Sequence, residues 1–135
     1  MNLVDTSGWI EFLFSGPNAD YFAAPIERTD ELLVPTICMY EVFKKVSLVA
    51  QDQQAVEAVG LMRQGCVVDL TEAIAMDAAC VSVKYRLPMA DSIICATARA
   101  HDAQVWTQDE DFEHLPGVNY RPASTNRTGK QTGPL

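Results

Sequence analysis

Hydrophobic and polar positions follow two periods that alternate along the chain. Short apolar runs of strand length lie at 3–4, 32–34, 66–70, 104–107 and 118–120. Between them, apolar residues recur every three or four positions, which is the spacing of an amphipathic helix. Strands that alternate with helices at this spacing predict a parallel sheet with helices on both faces.

The helical pattern predicts six helices and suggests where several of them begin. The first starts near Trp9 after a Thr-Ser-Gly turn, and the others cover 19–28 (interrupted by Pro25), 37–50, 52–64, 72–86 and 92–101. Thr36, Asp52 and Asp91 are the expected N-cap residues of three of them, because short polar side chains accept hydrogen bonds from free helix N–H groups. The last helix is apolar on almost every side and is therefore expected to be buried.

The length and the distribution of polar residues predict one domain and a short tail. A chain of 135 residues can bury a core of its own. We expect the domain to span 1–122 and the polar, aperiodic segment 123–135 to be a flexible tail. There is no apolar run of about 18 residues and no secretory signal pattern, so we expect a cytoplasmic protein without a membrane anchor.

Four cysteines, at positions 38, 66, 80 and 95, are widely spaced and form no Cys-x-x-Cys pair. Each stands among apolar residues, which favours buried, reduced thiols.

The formal net charge is −8, which argues against nonspecific nucleic-acid binding through a basic surface. It leaves a nucleic-acid substrate open, because cations bound among carboxylates would offset the charge locally.

Acidic residues stand at corresponding ends of several predicted elements. Asp5 and Asp109 follow strands, Asp91 begins the buried helix, and Glu41 lies on an otherwise apolar helix. Because strand ends and the starts of the following helices share one edge of a parallel sheet, these acids can converge. Clustered carboxylates stay ionised only with a cation nearby, and their oxygen ligands suit Mg²⁺ or Mn²⁺.

Each acid also has an ordinary interpretation when taken alone. Asp5 and Asp91 suit helix caps, Glu41 suits an exposed pair with a neighbouring lysine, and Asp109 with Asp111 suits a solvated loop. Their occurrence at corresponding ends of elements favours a shared site. His101 and His114 are isolated, so no histidine cluster suggests zinc.

Four stretches of the chain together resemble the PIN-domain ribonucleases of the VapC toxin type. These are Val4-Asp5-Thr6-Ser7 with Trp9-Ile10, then Tyr40-Glu41, then Leu87-Pro88-Met89-Ala90-Asp91-Ser92-Ile93-Ile94-Cys95-Ala96-Thr97-Ala98, and Trp106-Thr107-Gln108-Asp109-Glu110-Asp111-Phe112. The similarity spans 1 to about 122, and its last two stretches are specific in combination. The resemblance implies a compact three-layer α/β/α sandwich around a parallel sheet of four to five strands.

The resemblance also assigns roles to individual residues. Asp5, Glu41, Asp91 and Asp109 match the family's acidic quartet, Asp111 a less constant accessory acid, and Thr6 and Thr107 hydroxyl positions that help orient the site. Such a protein hydrolyses RNA with Mg²⁺ or Mn²⁺. Metal held by Asp5, Asp91 and Asp109 would polarise the scissile phosphate, while Glu41 would bind the metal or orient the attacking water.

The resemblance further implies the partners of a toxin. These would be an RNA substrate, a second copy in a homodimer, and a small basic VapB-like antitoxin that also binds operator DNA. A basic antitoxin residue placed among the carboxylates would suit the negative charge of the chain.

Three other functions are compared with the residues alone. An Asp-nucleophile phosphohydrolase would need a second acid two residues after Asp5, where Ser7 stands, and a lysine after a late strand, which is missing. A phosphoacceptor signalling module would lack the same lysine. An acidic partner-binding module without catalysis would bind neither Mg²⁺ nor Mn²⁺, so a metal titration separates it from a nuclease.

Overall fold

The structure, a computed structural model, describes residues 1–124. The strands in this part are β1 (Asn2–Val4), β2 (Leu32–Pro35), β3 (Cys66–Val68), β4 (Gln104–Thr107) and β5 (Val118–Tyr120). The α-helices are α1 (Thr6–Leu13), α2 (Ala19–Ile26), α3 (Thr36–Val49), α4 (Asp52–Met62), α5 (Glu72–Tyr85) and α6 (Met89–Ala100). Short 3-10 helices cover Thr29–Glu31 and Glu110–Phe112. Apart from its first two residues, the predicted tail 123–135 lies outside the described residues.

All five strands form one parallel sheet in the order β3-β2-β1-β4-β5. The register places Leu3 of the central strand opposite Leu33 on one side and Val105 on the other. Right-handed crossovers put α1 to α4 on one face of the sheet and α5 with α6 on the other. The predicted α/β/α sandwich is therefore confirmed, with the short fifth strand included.

The strand order creates a crevice beside the carboxyl end of β1. From β1 the chain proceeds to β2 on one side, whereas β4 lies on the other side and continues outward to β5. Ligand sites of open α/β sheets lie where the connections diverge in this way. Asp5 directly follows β1, and Asp109 lies two residues after β4, so both stand at this crevice.

The start of α1 differs from the prediction. Thr6, Ser7 and Gly8 are not a turn before the helix but its first turn, because Asp5 is the N-cap and accepts a hydrogen bond from the Gly8 N–H at 2.9 Å. Gly8 is needed for close packing, since a Cβ there would lie 2.6 Å from Cγ1 of Val4 and 2.7 Å from the Phe22 ring. The first turn is therefore held firmly against the sheet.

Three predicted N-cap residues lie one or more positions inside their helices. Thr36, Asp52 and Asp91 fall within first turns, and the N-cap positions are occupied by Pro35, Gln51 and Pro88. The helix containing Asp91 begins earlier than expected because Pro88 and Met89 already lead into it. The N-cap Pro88 provides no side-chain cap, and the Asp91 carboxylate in the first turn suits the positive end of the helix.

The core confirms the predicted burial of α6. Residues 92–98 are all buried, and Ile94 is 1% exposed. We expect Ile94→Ala to lower the free energy of unfolding by about 2–5 kcal/mol, because it empties packed volume. Urea unfolding measures this, with Val83→Ala on α5 (82% exposed) as the control that should change little. An Ile94→Ala variant as stable as the parent chain would contradict the packing of α6.

The cysteines agree only in part with the expectation of buried thiols. All four are free, and Cys38 and Cys95 are buried, but Cys66 and Cys80 are exposed. Cys66 begins strand β3 at the edge of the sheet, and Cys80 lies on an outward face of α5. Within residues 1–124, no helix has both the length and the apolar character needed to span a membrane.

Candidate active site

The predicted acids come together at the crevice between β1 and β4. The charges of Asp109, Asp5, Asp111 and Glu41 all act on the half-buried carboxyl of Asp91. Residues that are far apart in the sequence therefore lie in one patch. This convergence was predicted from their positions at corresponding ends of strands and helices. This patch, which we call the carboxylate cluster, consists of Asp5, Glu41, Asp91, Asp109 and Asp111.

Asp5 is the most deeply placed member, with 2% of its surface exposed. Its Oδ1 accepts hydrogen bonds from the Ser7 hydroxyl (2.7 Å) and the Gly8 N–H (2.9 Å), and its Oδ2 accepts one from the Thr107 hydroxyl (2.6 Å). Burial raises the pKa of Asp5 to about 6, although these three hydrogen bonds favour the charged form. A carboxylate accepts about four hydrogen bonds in all, so one acceptor position, on Oδ2, is left for another ligand.

The pKa values of Asp91 and Asp109 are raised by burial and by the neighbouring negative charges. Burial, followed by the charges of the other cluster carboxylates, raises the pKa of Asp91 to about 7. Burial also raises the pKa of Asp109, with the Asp111 charge adding to it, while the Asp111 N–H and the Lys45 charge act in the opposite direction. Without a cation, the cluster therefore holds protons close to neutral pH.

Three members of the cluster are close enough to share one cation. One carboxylate oxygen each from Asp91, Asp109 and Asp111 lies within 4.8 Å of the other two. All-oxygen donors of this kind suit Mg²⁺ or Mn²⁺, so the residues fit the metal that the resemblance implies. This group contains Asp111, predicted only as an accessory acid, and does not contain Asp5, predicted as a ligand.

Two hydroxyl groups predicted to help orient the site contact cluster carboxylates. Thr6 Oγ1 donates to Glu41 Oε1 at 2.6 Å and so joins the first turn of α1 to α3. Thr107 Oγ1 donates to Asp5 Oδ2 and accepts from the Asp109 N–H at 2.9 Å. Cys38 lies beneath this patch, where burial, followed by the Asp5 charge, raises the pKa of its thiol well above the usual value.

A polar network that was not predicted from the sequence lies beside the cluster. Ser7 bonds to Asp5 and also accepts from the Gln108 N–H at 3.1 Å. The Gln108 side chain donates to Glu11 Oε1 at 3.2 Å and accepts from Asn18 Nδ2 at 3.0 Å. A hydroxyl residue two positions after a helix-capping aspartate was a signal for Ser7, whereas nothing local indicated the contacts of Gln108.

The fold is similar to those of several solved toxin and toxin–antitoxin structures. A toxin–antitoxin complex from Klebsiella pneumoniae is 26% identical with a TM-score of 0.72, over 88% of this chain and 96% of that chain. VapC20 of Mycobacterium tuberculosis, described as a sarcin-ricin loop cleaving toxin, is 18% identical with a TM-score of 0.76, over 90% and 100%. A DNA-bound VapBC from Salmonella typhimurium is 15% identical with a TM-score of 0.69, over 90% and 98%.

At 18% and 15% identity, the last two similarities concern the fold alone. A search of curated proteins finds no match. Residues 3–118 match the PIN domain, and this range contains every member of the carboxylate cluster. The chain belongs to the PIN domain family.

Proposed function

We propose that this chain is the toxin of a toxin–antitoxin pair, a VapC-type endoribonuclease that uses Mg²⁺ or Mn²⁺ to hydrolyse phosphodiester bonds in RNA. The observation that carries this proposal is the carboxylate cluster at the crevice between β1 and β4 of a PIN domain. The similarity to a toxin–antitoxin complex over most of both chains supports the toxin assignment.

The cluster residues divide into ligands and supporting groups. Asp91, Asp109 and Asp111 would hold a divalent cation, and Asp5 would contribute the free acceptor position on its Oδ2. When bound, the cation supplies Lewis-acid chemistry toward the scissile phosphate. Its charge also keeps Asp91 and Asp109 ionised, since an opposite charge offsets the repulsion that raises both pKa values.

Glu41 is best suited to orienting the attacking water. Its carboxylate does not belong to the group that could share one cation, and Thr6 occupies Oε1. The Thr6 hydrogen bond fixes the rotation of the carboxylate. Oε2 can therefore accept a hydrogen bond from a water molecule held in one orientation. In this proposal Glu41 therefore acts as a general base or as a group that orients the water.

A second surface suits the antitoxin. A groove of about 280 Å³ between the ends of α1 and α3 and the side of α4 is lined largely by apolar groups: Leu13, Phe14, Val46, Ala50, Ala58 and Leu61. Phe14, one of the residues that line the groove, is 43% exposed. Apolar surface of this kind marks a protein contact, and we assign it to an apolar segment of the antitoxin because a similar structure is a toxin–antitoxin complex.

A cleavage assay on the purified chain tests the enzymatic proposal. We expect single-stranded RNA to be cut in the presence of Mg²⁺ or Mn²⁺ and to stay intact in EDTA, with activity restored by excess metal. A chain that binds neither metal by calorimetry and cuts no RNA would instead support the acidic partner-binding module.

The oligomeric state and the antitoxin require separate measurements. We propose a homodimer, and light scattering at micromolar concentration should give twice the mass of the chain. A monomer under these conditions would refute the dimer without affecting the assignment as a nuclease. Phe14→Asp should weaken capture of the antitoxin encoded beside this chain, because Phe14 lines the groove and is partly exposed, whereas RNA cleavage should be unchanged.

A further inference from the structure

Two hydroxyl groups join Asp5 to the segment that carries Asp109. In one bridge, the Gln108 N–H donates to Ser7 Oγ (3.1 Å), and the Ser7 hydroxyl donates to Asp5 Oδ1 (2.7 Å). In the other, the Asp109 N–H donates to Thr107 Oγ1 (2.9 Å), and the Thr107 hydroxyl donates to Asp5 Oδ2 (2.6 Å). Two consecutive backbone N–H groups are thus connected to the two oxygens of one carboxylate.

The proton count makes the direction of each bridge definite. A serine or threonine hydroxyl has one proton to donate and two lone pairs that accept. The short contacts to Asp5 use both hydroxyl protons, because an ionised carboxylate can only accept. The two hydroxyls lie 3.3 Å apart, and each still has acceptor capacity for the backbone N–H that it receives.

These bridges connect two separate parts of the fold. Ser7 lies in the first turn of α1, and Gln108 lies just after β4, about a hundred residues later in the chain. Among the described residues, one direct backbone hydrogen bond continues the β1–β4 pairing past Val4, from the Asp5 N–H to the Trp106 carbonyl. Beyond this bond, the hydroxyl bridges determine the separation of Asp5 from Asp109.

We infer that Ser7 is a positioning residue of the metal site, which together with Thr107 holds Asp5 and the Gln108–Asp109 segment at a fixed separation. The inference rests on the proposed metal-dependent nuclease, and it assigns to Ser7 a role separate from that of the ligands. Ser7 fixes the orientation of the Asp5 carboxylate and holds the Gln108 backbone next to Asp109, and Asp5 and Asp109 would hold the cation in the proposed function.

Removing the Ser7 hydroxyl should weaken metal binding more than it weakens folding. In Ser7→Ala, the Gln108 N–H and one acceptor position of Asp5 lose their partner, and the Asp109 segment is held by the Thr107 bridge alone. Partners of metal ligands typically change metal affinity by about 10- to 100-fold. We therefore expect the Kd for Mn²⁺ to rise by at least about tenfold in Ser7→Ala, and to return toward the parent value in Ser7→Thr.

Mn²⁺ titration followed by electron paramagnetic resonance measures the free ion directly and does not depend on RNA cleavage. The control is Ser82→Ala on α5, which removes a hydroxyl that donates to the Leu87 carbonyl at 2.8 Å, away from the cluster. Circular dichroism checks that each variant is folded. Should alanine unfold the chain, Ser7→Cys keeps the side-chain shape with a weaker donor and should shift the Kd in the same direction.

The outcomes separate this inference from the proposed function. If the parent chain binds Mn²⁺ and cleaves RNA, but Ser7→Ala binds Mn²⁺ as tightly as Ser82→Ala does, Ser7 has no positioning role and the inference is wrong. A parent chain that binds no Mn²⁺ at all would overturn the metal-dependent function itself, and the role of Ser7 with it. Failure of Ser7→Thr to restore affinity would also contradict the inference, because that variant keeps the hydroxyl.

Discussion

Asp91→Asn is expected to abolish RNA cleavage and, at the same time, to stabilise the metal-free chain. Asparagine keeps the size of the side chain but removes the charge that would hold the cation, and metal ions contribute several kcal/mol to transition states of this kind. A loss of about 4 kcal/mol corresponds to a decrease of about a thousandfold in rate. The stability change has the opposite sign, because Asp91 is repelled by Asp109, Asp5 and the other carboxylates of the cluster.

The stabilisation should reach about 2 kcal/mol at pH 8, after allowance for solvent screening of a half-buried group. Pro88, and not Asp91, is the N-cap of α6, so the replacement of Asp91 does not remove a cap. Cleavage rates and urea unfolding, both compared with the parent chain, measure the two effects.

Asp52→Asn is the matched control, because Asp52 also lies in the first turn of a helix but is exposed and stands on α4. It should retain RNA cleavage at the parent rate and leave stability nearly unchanged. If Asp91→Asn cut RNA as fast as Asp52→Asn does, the assignment of Asp91 to the metal site would be refuted. If Asp91→Asn were less stable than the parent chain, the inferred repulsion between Asp91 and the other cluster carboxylates would be refuted.

The second large effect is a loss of stability of the metal-free chain as the pH rises from about 4 to 8. Asp5 and Asp91 have pKa values raised to about 6 and about 7 in the folded chain, against 3.8 for the unfolded carboxyl. The folded state therefore binds more protons than the unfolded state in this range, and stability falls with rising pH. The contribution is fully present below about pH 4 and is lost as the pH passes through 6 to 7.

The size of this effect follows from the shift. For the buried Asp5, a shift of about two pKa units corresponds to roughly 3 kcal/mol, and the exposed part of Asp91 reduces its own contribution. Saturating Mg²⁺ or Mn²⁺ should restore the lost stability at pH 8, because the cation replaces the protons. Metal binding near pH 6 should accordingly release protons.

Thermal unfolding from pH 4 to 8, with EDTA or with Mn²⁺, measures both parts of this prediction. Asp91→Asn serves as the control, since its stability should depend less on pH over the same range. A metal-free parent chain that became more stable between pH 5 and 8, relative to this variant, would show that the cluster carboxyls do not have raised pKa values. An unchanged melting temperature on addition of Mn²⁺ would argue against a cation site there.

Much of the fold could be predicted because its signals are local. The apolar run at Leu3 and Val4 and the helical spacing that follows it lie within a few residues of each other, and they set the order of strands and helices. Element boundaries were less certain. The helix start at Met89 depends on how Pro88 enters α6, and the helical conformation of Gly8 depends on packing against Phe22.

The sequence predicted which acidic residues form the candidate site, but not which of them lie close enough to share a cation. Acids at the ends of neighbouring parallel elements must share an edge, so the approach of Asp5, Asp91 and Asp109 follows from topology. The sequence could not show that Asp111 joins Asp91 and Asp109 within reach of one cation, because this depends on the short 3-10 helix after β4. Nor could it show the exposure of Cys66 and Cys80, which depends on which face of each element is covered.

The sequence by itself determined the alternating architecture, the family resemblance and the acidic residues that converge, since periodicity and motif spacing are properties of the chain alone. Only the tertiary structure decided which donors hold Asp5, because Ser7 and Thr107 reach its two oxygens from segments about a hundred residues apart. Hydrogen bonds between such segments depend on the register of β1 against β4 and on distances of a few tenths of an ångström, which no local pattern encodes.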